Sequence, residues 1–204
     1  MQLLANTTSP YVRIARISMI EKGLDIEPTI VDPWADDARL RAANAATRVP
    51  TLVLDDGTPL AESMAIVMWL EATKPQGASL LGPDAAGVLS RAGVALGVID
   101  AAVHTIIIRK VTAPVLFDET PVGLRRRRTM AEGMERLEAM AAAKPMDKDG
   151  VPTLDAICAV TAIDYLNFRF TDAPWLPPMP ALNALSQRLR ARASFANTMP
   201  FVAS

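Results

Sequence analysis

The amino-acid pattern changes character once along this chain, near residue 80. Before that point short strand-like apolar runs alternate with helical segments, whereas only helical patterns follow it. Proline and glycine concentrate between the two parts, as they do in a linker. We therefore predict an α/β domain over residues 1–76, a linker over 77–87 and an all-helical domain over 88–204.

The first domain is predicted to have the element order βαβαββα. An apolar strand over 2–6 precedes a helix that begins at Ser9-Pro10 and ends at Gly23. A hydroxyl followed by proline is a common helix start, and glycine is a common helix end. A β-rich run over 26–31 predicts a second strand, parallel to the first. The remaining elements are a short helix (36–46), a hairpin (51–61) that turns at Asp56-Gly57, and a helix (64–73).

Four helices are predicted in the second half of the chain. The segment over 153–168 is apolar nearly all round, which is typical of a helix at the centre of a bundle. In another helix, Met130, Met134 and Leu137 fall on one face. The predicted helices span 88–111, 124–143, 153–168 and 179–192.

Composition excludes several classes of function. Lys and Arg number 21 against 22 Asp and Glu, so the basic excess of a nucleic-acid-binding protein is missing. We find no run of about 18 uninterrupted apolar residues and no signal peptide, and expect no membrane partner. One cysteine (Cys158) and one histidine (His104) exclude a disulfide framework and a zinc cluster. We expect a cytoplasmic globular protein.

Three short segments of the first half stand out together, and two of them open helices that could bind an anion. Ser9 opens the first predicted helix, Val49-Pro50 precedes the hairpin, and Glu62-Ser63 precedes the third helix. A helix start offers free N–H groups and the positive end of the peptide dipoles. Taken alone, the two serines are ordinary helix caps and the proline is an ordinary strand opener.

The order and spacing of these segments resemble the glutathione S-transferase family. The resemblance covers the whole chain, since the runs at 158–160, 164–169 and 194–200 are similar to the buried helix and tail of bacterial members. It implies a thioredoxin-like α/β domain followed by an all-α helical bundle, and a homodimer. It also implies glutathione as a co-substrate, with no metal and no other cofactor.

The resemblance implies a role for each site residue. Ser9 is the catalytic residue of serine-type members, whose hydroxyl donates to the glutathione sulfur. A free thiol has a pKa of about 8.5, and a charge-assisted hydrogen bond favours its anion. Val49, before a cis Pro50, pairs with the cysteinyl backbone of glutathione as an added strand would. Ser63 and its helix start bind the γ-glutamyl carboxylate, and Glu62 binds the neighbouring ammonium.

The identity of the sulfur ligand stays open at the level of sequence. Thr7 and Thr8 are close enough to Ser9 to be rival or auxiliary donors. Arg48 could reach the glycyl carboxylate of glutathione. The absence of a cysteine at this position argues against the thiol-transfer members of the superfamily.

The reaction also stays open among several possibilities. Conjugation of glutathione to a small apolar electrophile is the leading hypothesis, with peroxide reduction, isomerisation or binding without turnover as alternatives. The resemblance places the wall of the electrophile pocket on the first long helix, although its histidine is more simply a packed or exposed side chain. The wall residues are Val103, His104, Ile107 and Ile108.

The start of the central helix departs from the family pattern. Members pair a Ser or Thr N-cap with an Asp three residues later in a reciprocal capping box. Here Thr153 is followed at that spacing by Ala156, and Asp155 comes one place early. We expect a weaker cap by under about 1 kcal/mol. Cys158, within the same helix, is predicted to be a small buried hydrophobic residue.

Overall fold

The structure is a computed structural model that describes residues 1–73, 77–144, 146–148, 151–171 and 173–202. The chain divides into two compact units, Met1–Leu80 together with Arg192–Ser204, and Leu81–Ala191. The end of the chain therefore groups with the first unit, and not with the helical domain to which the sequence assigned residues up to 204. We call Arg192–Val202 the return segment.

The first unit contains the predicted order βαβαββα, which confirms the thioredoxin-like assignment. Its four strands are arranged β2-β1-β3-β4, with β2 parallel to β1 and the other pairs antiparallel. The elements are β1 (Gln2–Ala5), α1 (Pro10–Glu21), β2 (Thr29–Ile30), α2 (Ala38–Ala43), β3 (Thr51–Val53), β4 (Pro59–Ala61) and α3 (Ser63–Thr73).

Both ends of α1 form as its capping residues predict. The Ser9 hydroxyl accepts a hydrogen bond from the Val12 N–H at 3.3 Å. At the other end Gly23 has a φ of 74°, and the Leu24 N–H donates to the Met19 carbonyl at 2.8 Å. This is the Schellman arrangement, in which a left-handed residue closes the helix.

The second strand is shorter than predicted. The sequence indicated a strand over 26–31, but only Thr29–Ile30 pairs with β1. Pro28 has no N–H group to donate, so the ladder does not extend towards the start of the run. On the other side, the Val31 N–H still donates to the Ala5 carbonyl at 2.9 Å.

Alternation along β1 divides the core of the first unit between the two faces of the sheet. Leu3 and Ala5 pack with residues of α1 and α3, whereas Leu4 packs with Val31 and with Leu40 of α2. Successive side chains of a strand point to opposite faces, so a single strand anchors both helical layers.

The second unit is built around α6. Thirteen consecutive residues of this helix, 154–166, are buried, as predicted for the centre of the bundle. On α5, Met130, Met134 and Leu137 are also buried. The helices of this unit are α4 (Ala85–Thr112), α5 (Pro121–Ala143), α6 (Leu154–Arg169) and α7 (Pro180–Leu189), and the return segment adds α8 (Ala193–Ala196) to the first unit.

Two features of the helical unit were not expected. A small antiparallel hairpin joins β5 (Asp147–Lys148) to β6 (Val151–Pro152), although no strand was predicted after the linker. Strands of two residues are too short to show an alternating pattern. The other feature is the length and apolar character of α4, which would suffice to cross a membrane. Its buried residues pack against α5 and α6.

An ion pair with a buried carboxylate replaces the missing capping box of α6. Thr153 is the N-cap and makes no hydrogen bond to the helix backbone from its side chain. The Asp155 carboxylate instead accepts from the Arg91 guanidinium at 2.6 Å and from the Ala156 N–H at 3.0 Å. Cys158 is fully buried, as predicted, and burial raises the pKa of its thiol.

Candidate active site

The strand register brings the three predicted segments to one edge of the sheet. Thr51, the first residue of β3, lies opposite Leu4 of β1 on one side and opposite Ala61 of β4 on the other. The loop after β1, the turn before β3 and the start of α3 after β4 therefore leave the sheet at the same edge. These are the segments that carry Ser9, Val49-Pro50 and Glu62-Ser63.

Asn6 organises the loop that precedes α1. Its side-chain oxygen accepts hydrogen bonds from the Thr8 N–H at 2.9 Å and from the Thr8 hydroxyl at 2.8 Å. Its backbone carbonyl accepts from the Ser9 N–H at 3.4 Å. An Asn that binds the backbone two residues on forms an Asx turn, which is the signal that sequence reasoning passed over.

These contacts distinguish the three hydroxyl groups of the loop. The Thr8 hydroxyl proton is committed to Asn6. The Ser9 oxygen accepts from Val12, and a hydroxyl that accepts still has its own proton to donate. Ser9 is also half-buried at the start of a twelve-residue helix, where peptide dipoles favour an anion. Thr7 is half-buried, and its carbonyl accepts from the Phe201 N–H at 3.4 Å.

The peptide bond between Val49 and Pro50 is cis, as the resemblance implied. Asn44 braces this turn, since its side-chain amide donates to the Arg48 carbonyl and to the Thr51 hydroxyl, both at 3.1 Å. Within the described residues, neither backbone group of Val49 makes a hydrogen bond. An extended peptide could therefore pair with Val49.

Glu62 has an unusual backbone conformation, with a φ of 74°. Residues other than glycine rarely occupy this left-handed region, where the cost is about 1–2 kcal/mol. The Glu62 carbonyl accepts from the Ile66 N–H at 3.1 Å, so Ser63 is the first residue of α3 and not the N-cap that the sequence suggested. The first N–H groups of α3 have no partner within the helix and face outward from its start.

Arg48 and Glu62 form an ion pair across the edge of the site. Their closest nitrogen and oxygen atoms are 3.6 Å apart, and the side chains are 72% and 61% exposed. Pairs this exposed contribute at most about 1 kcal/mol, so both groups can exchange partners readily. The site thus presents one cation and one anion that a zwitterionic peptide could engage.

The residues predicted for the electrophile wall lie on the second half of α4. Val103, Ile107 and Ile108 are half-buried, and His104 is exposed. Among the described residues, no group of three or more His, Cys, Asp or Glu side chains is arranged to hold a metal ion.

Comparison with known proteins identifies the family. A family model described as the N-terminal domain of glutathione S-transferase matches residues 8–73. The crystal structure of a glutathione S-transferase from Methylobacterium radiotolerans, in complex with glutathione sulfonate, is 31% identical in sequence. That comparison spans 100% of this chain and 96% of the other, with a TM-score of 0.86. The chain belongs to the glutathione S-transferase family.

Two further relatives match over nearly their whole length. A glutathione S-transferase from Methylobacillus flagellatus, with glutathione bound, is 26% identical over 98% of this chain and 99% of its own, with a TM-score of 0.85. YibF, an uncharacterised GST-like protein of Escherichia coli K12, is 29% identical over 202 residues, which is 98% of both chains. Glutathione is thus bound by solved relatives of this protein.

Proposed function

We propose that the protein is a glutathione transferase that conjugates the glutathione thiolate to a small apolar electrophile, with Ser9 stabilising the sulfur anion. One observation carries the proposal. The register of β1, β3 and β4 gathers a helix start with an available hydroxyl, a backbone segment at Val49 that makes no hydrogen bond within the described residues, and a second helix start at one edge of the sheet.

Each group of glutathione has a chemically matched partner at this edge. The cysteinyl backbone pairs with the free backbone groups of Val49, as in strand addition. The γ-glutamyl carboxylate binds the first N–H groups of α3 and the Ser63 hydroxyl. The Glu62 carboxylate binds the adjacent ammonium, and Arg48 can leave Glu62 for the glycyl carboxylate. This arrangement directs the sulfur to the start of α1, beside Ser9.

The reaction requires little more than an ionised thiol held in place. The thiol proton is released to solvent, and the sulfur lone pair forms a carbon–sulfur bond as the leaving group departs with its electron pair. A hydrogen bond to a charged group contributes roughly 1.5–3 kcal/mol. Loss of the Ser9 hydroxyl should therefore lower the rate by about tenfold to just over a hundredfold.

Binding and turnover test separate parts of the proposal. Calorimetry with glutathione at millimolar concentration should detect binding, and turnover of chlorodinitrobenzene should follow as an absorbance increase. Binding without turnover of any electrophile would favour a ligand-binding protein. Turnover of hydroperoxides or of cis–trans isomers, with no conjugation, would favour the peroxidase or isomerase alternatives.

The role of Ser9 is tested by variants that separate its hydroxyl from its cap. Glycine is almost as good an N-cap as serine but has no hydroxyl, so Ser9→Gly should fold normally and lose most of the rate. Ser9→Thr keeps both functions and should keep most of the rate. Thr8→Val is the matched loop control. A Ser9→Gly variant at full activity would exclude Ser9 and favour Thr7.

We also propose that the protein acts as a cytoplasmic homodimer in detoxification. Met68 on α3 is 69% exposed, and Leu89 on α4 is 45% exposed. Burial of either side chain in a contact between subunits would remove apolar surface from water, which is favourable. Light scattering coupled to size exclusion would detect a dimer, and Met68→Glu should shift the population towards monomer. A wild-type protein that is monomeric at micromolar concentration would refute this part.

A further inference from the structure

The return segment follows α1 along its whole length in the opposite direction. Arg192 and Ser194 contact Glu21 at the end of α1. Met199 then contacts Arg13, in the first half of α1, and Phe201 contacts the loop before the start of the helix. From its first residue to its last, the return segment contacts successively earlier residues of the first unit, from Glu21 to Thr7.

The strongest of these contacts is the one farthest from the site. The Glu21 carboxylate accepts from two nitrogens of Arg192 at 2.9 and 2.6 Å, and also from the Ser194 hydroxyl. The Glu21 side chain is only 9% exposed. A bidentate pair with a mostly buried carboxylate fixes orientation as well as position. Glu21 therefore anchors the return segment at the far end of α1.

The contact nearest the site joins two backbones. The Phe201 N–H donates to the Thr7 carbonyl at 3.4 Å, two residues before Ser9. Between the anchor and this contact, Arg13 donates to the Met199 sulfur at 3.2 Å. A cavity of about 360 Å³ lies beside α1 and is lined by residues of both α1 and the return segment, including Arg16 and Asn197. The segment is thus held by these polar contacts together with its buried side chains Phe195 and Thr198.

We propose that the return segment positions the catalytic loop, with the Phe201 N–H as the positioning group for Thr7 and hence for Ser9. The inference rests on the proposed role of Ser9. The loop is short and Asn6 accepts its internal hydrogen bonds, so an outside contact at Thr7 limits how far the loop can shift. Catalytic hydrogen bonds are sensitive to displacements of a fraction of an ångström.

Substitution with proline removes the N–H group that carries this contact. Phe201→Pro should lower kcat roughly threefold to tenfold, as partial loss of a charge-assisted hydrogen bond would. It should also raise the pKa of the bound glutathione thiol, measured from thiolate absorbance against pH. The KM for glutathione should change less than twofold, since Val49, Glu62 and Ser63 lie on other segments. Phe201→Ala retains the N–H group and measures how much of the change in kcat comes from loss of the side chain, which is 57% exposed.

A second variant tests the anchor without touching Phe201. Glu21→Gln keeps the shape of the side chain but removes its charge, and it should change kcat and thiol pKa in the same direction. Val202→Pro is the control for a proline in this segment, because the described residues place no hydrogen bond on its N–H. Equal kcat and thiol pKa in Phe201→Pro and Phe201→Ala would overturn the positioning role.

Hydrogen exchange separates this inference from the proposed function. The amides of Thr8, Ser9 and Val12 are hydrogen-bonded within the loop and the first turn of α1. Their exchange should be faster in Phe201→Pro than in Phe201→Ala, whatever the enzyme's activity. Unchanged exchange would refute the positioning role. A wild-type protein without turnover would refute only the proposed function.

Discussion

The ion pair between Asp155 and Arg91 should be a sensitive electrostatic contact of the helical unit. Asp155 is 1% exposed and Arg91 is 24% exposed, with 2.6 Å between their closest atoms. Asp155→Ala removes this bond and leaves the buried Ala156 N–H without its acceptor. Loss of a charged hydrogen bond costs about 1.5–3 kcal/mol and an unsatisfied buried group about 1–3 kcal/mol.

The partial exposure of Arg91 reduces the expected cost of this substitution. The guanidinium can reach water and has a second carboxylate, Asp84, at 3.6 Å. We therefore expect Asp155→Ala to lower the free energy of unfolding by about 3 kcal/mol, below the upper range for breaking a buried pair. Asp155→Asn keeps the shape and an acceptor for Ala156, so it should cost roughly half as much.

Asp84→Asn is the matched control, since it neutralises the other carboxylate beside Arg91. Asp84 is 55% exposed, and asparagine retains its capping bond to the Gly87 N–H. The expected cost is under about 0.5 kcal/mol. Urea unfolding followed by circular dichroism would measure all three variants. Equal destabilisation by Asp84→Asn and Asp155→Asn would refute the argument from burial.

Three other groups give distinct expectations. The hydrogen bond from Arg109 lowers the pKa of Asp118. This pair therefore stabilises the fold above the ordinary carboxyl pKa of about 4, and the stabilisation is lost as pH falls through the lower pKa of the folded state. The difference in urea midpoint between wild type and Asp118→Asn should vanish in strong acid. Burial raises the pKa of the Cys158 thiol, so a chromogenic disulfide should react with it only after unfolding, and rapid labelling of the native protein would contradict this. Glu62→Gly relieves the strain of the left-handed backbone but removes the carboxylate. We expect a free energy of unfolding within about 1 kcal/mol of wild type and glutathione binding at least tenfold weaker by calorimetry. Unchanged affinity would exclude Glu62 from the site.

Local chemistry explains why much of the fold could be predicted from the sequence. Ser9 and Gly23 bound α1 because hydroxyl caps and left-handed glycines act within a few residues of their own position. The apolar run over 153–168 likewise predicted a buried helix, and residues 154–166 of it are buried. The second strand was overestimated because Pro28 interrupts the ladder inside an otherwise β-rich run.

The features of the structure that the sequence could not predict depend on contacts between residues far apart in the chain or on an unusual backbone conformation. Nothing in Glu62 indicates a φ of 74°, since glutamate is not a residue that favours this region. The contact between Glu21 and Arg192 joins residues 171 positions apart, so no local pattern could place the return segment beside α1. The spacing of the three site segments identified them in the sequence. Only the strand register shows that they lie at one edge of the sheet, around Thr51.

The pairing of Glu21 with Arg192 has a consequence for how the protein is made. During synthesis, all of Leu81–Ala191 must emerge before the partner of Glu21 exists. The surface of α1 that the return segment covers therefore stays exposed during synthesis, while the helical unit can already fold. Assembly of the loop that carries Ser9 would then be among the last steps in the maturation of the chain, after most of the core has closed.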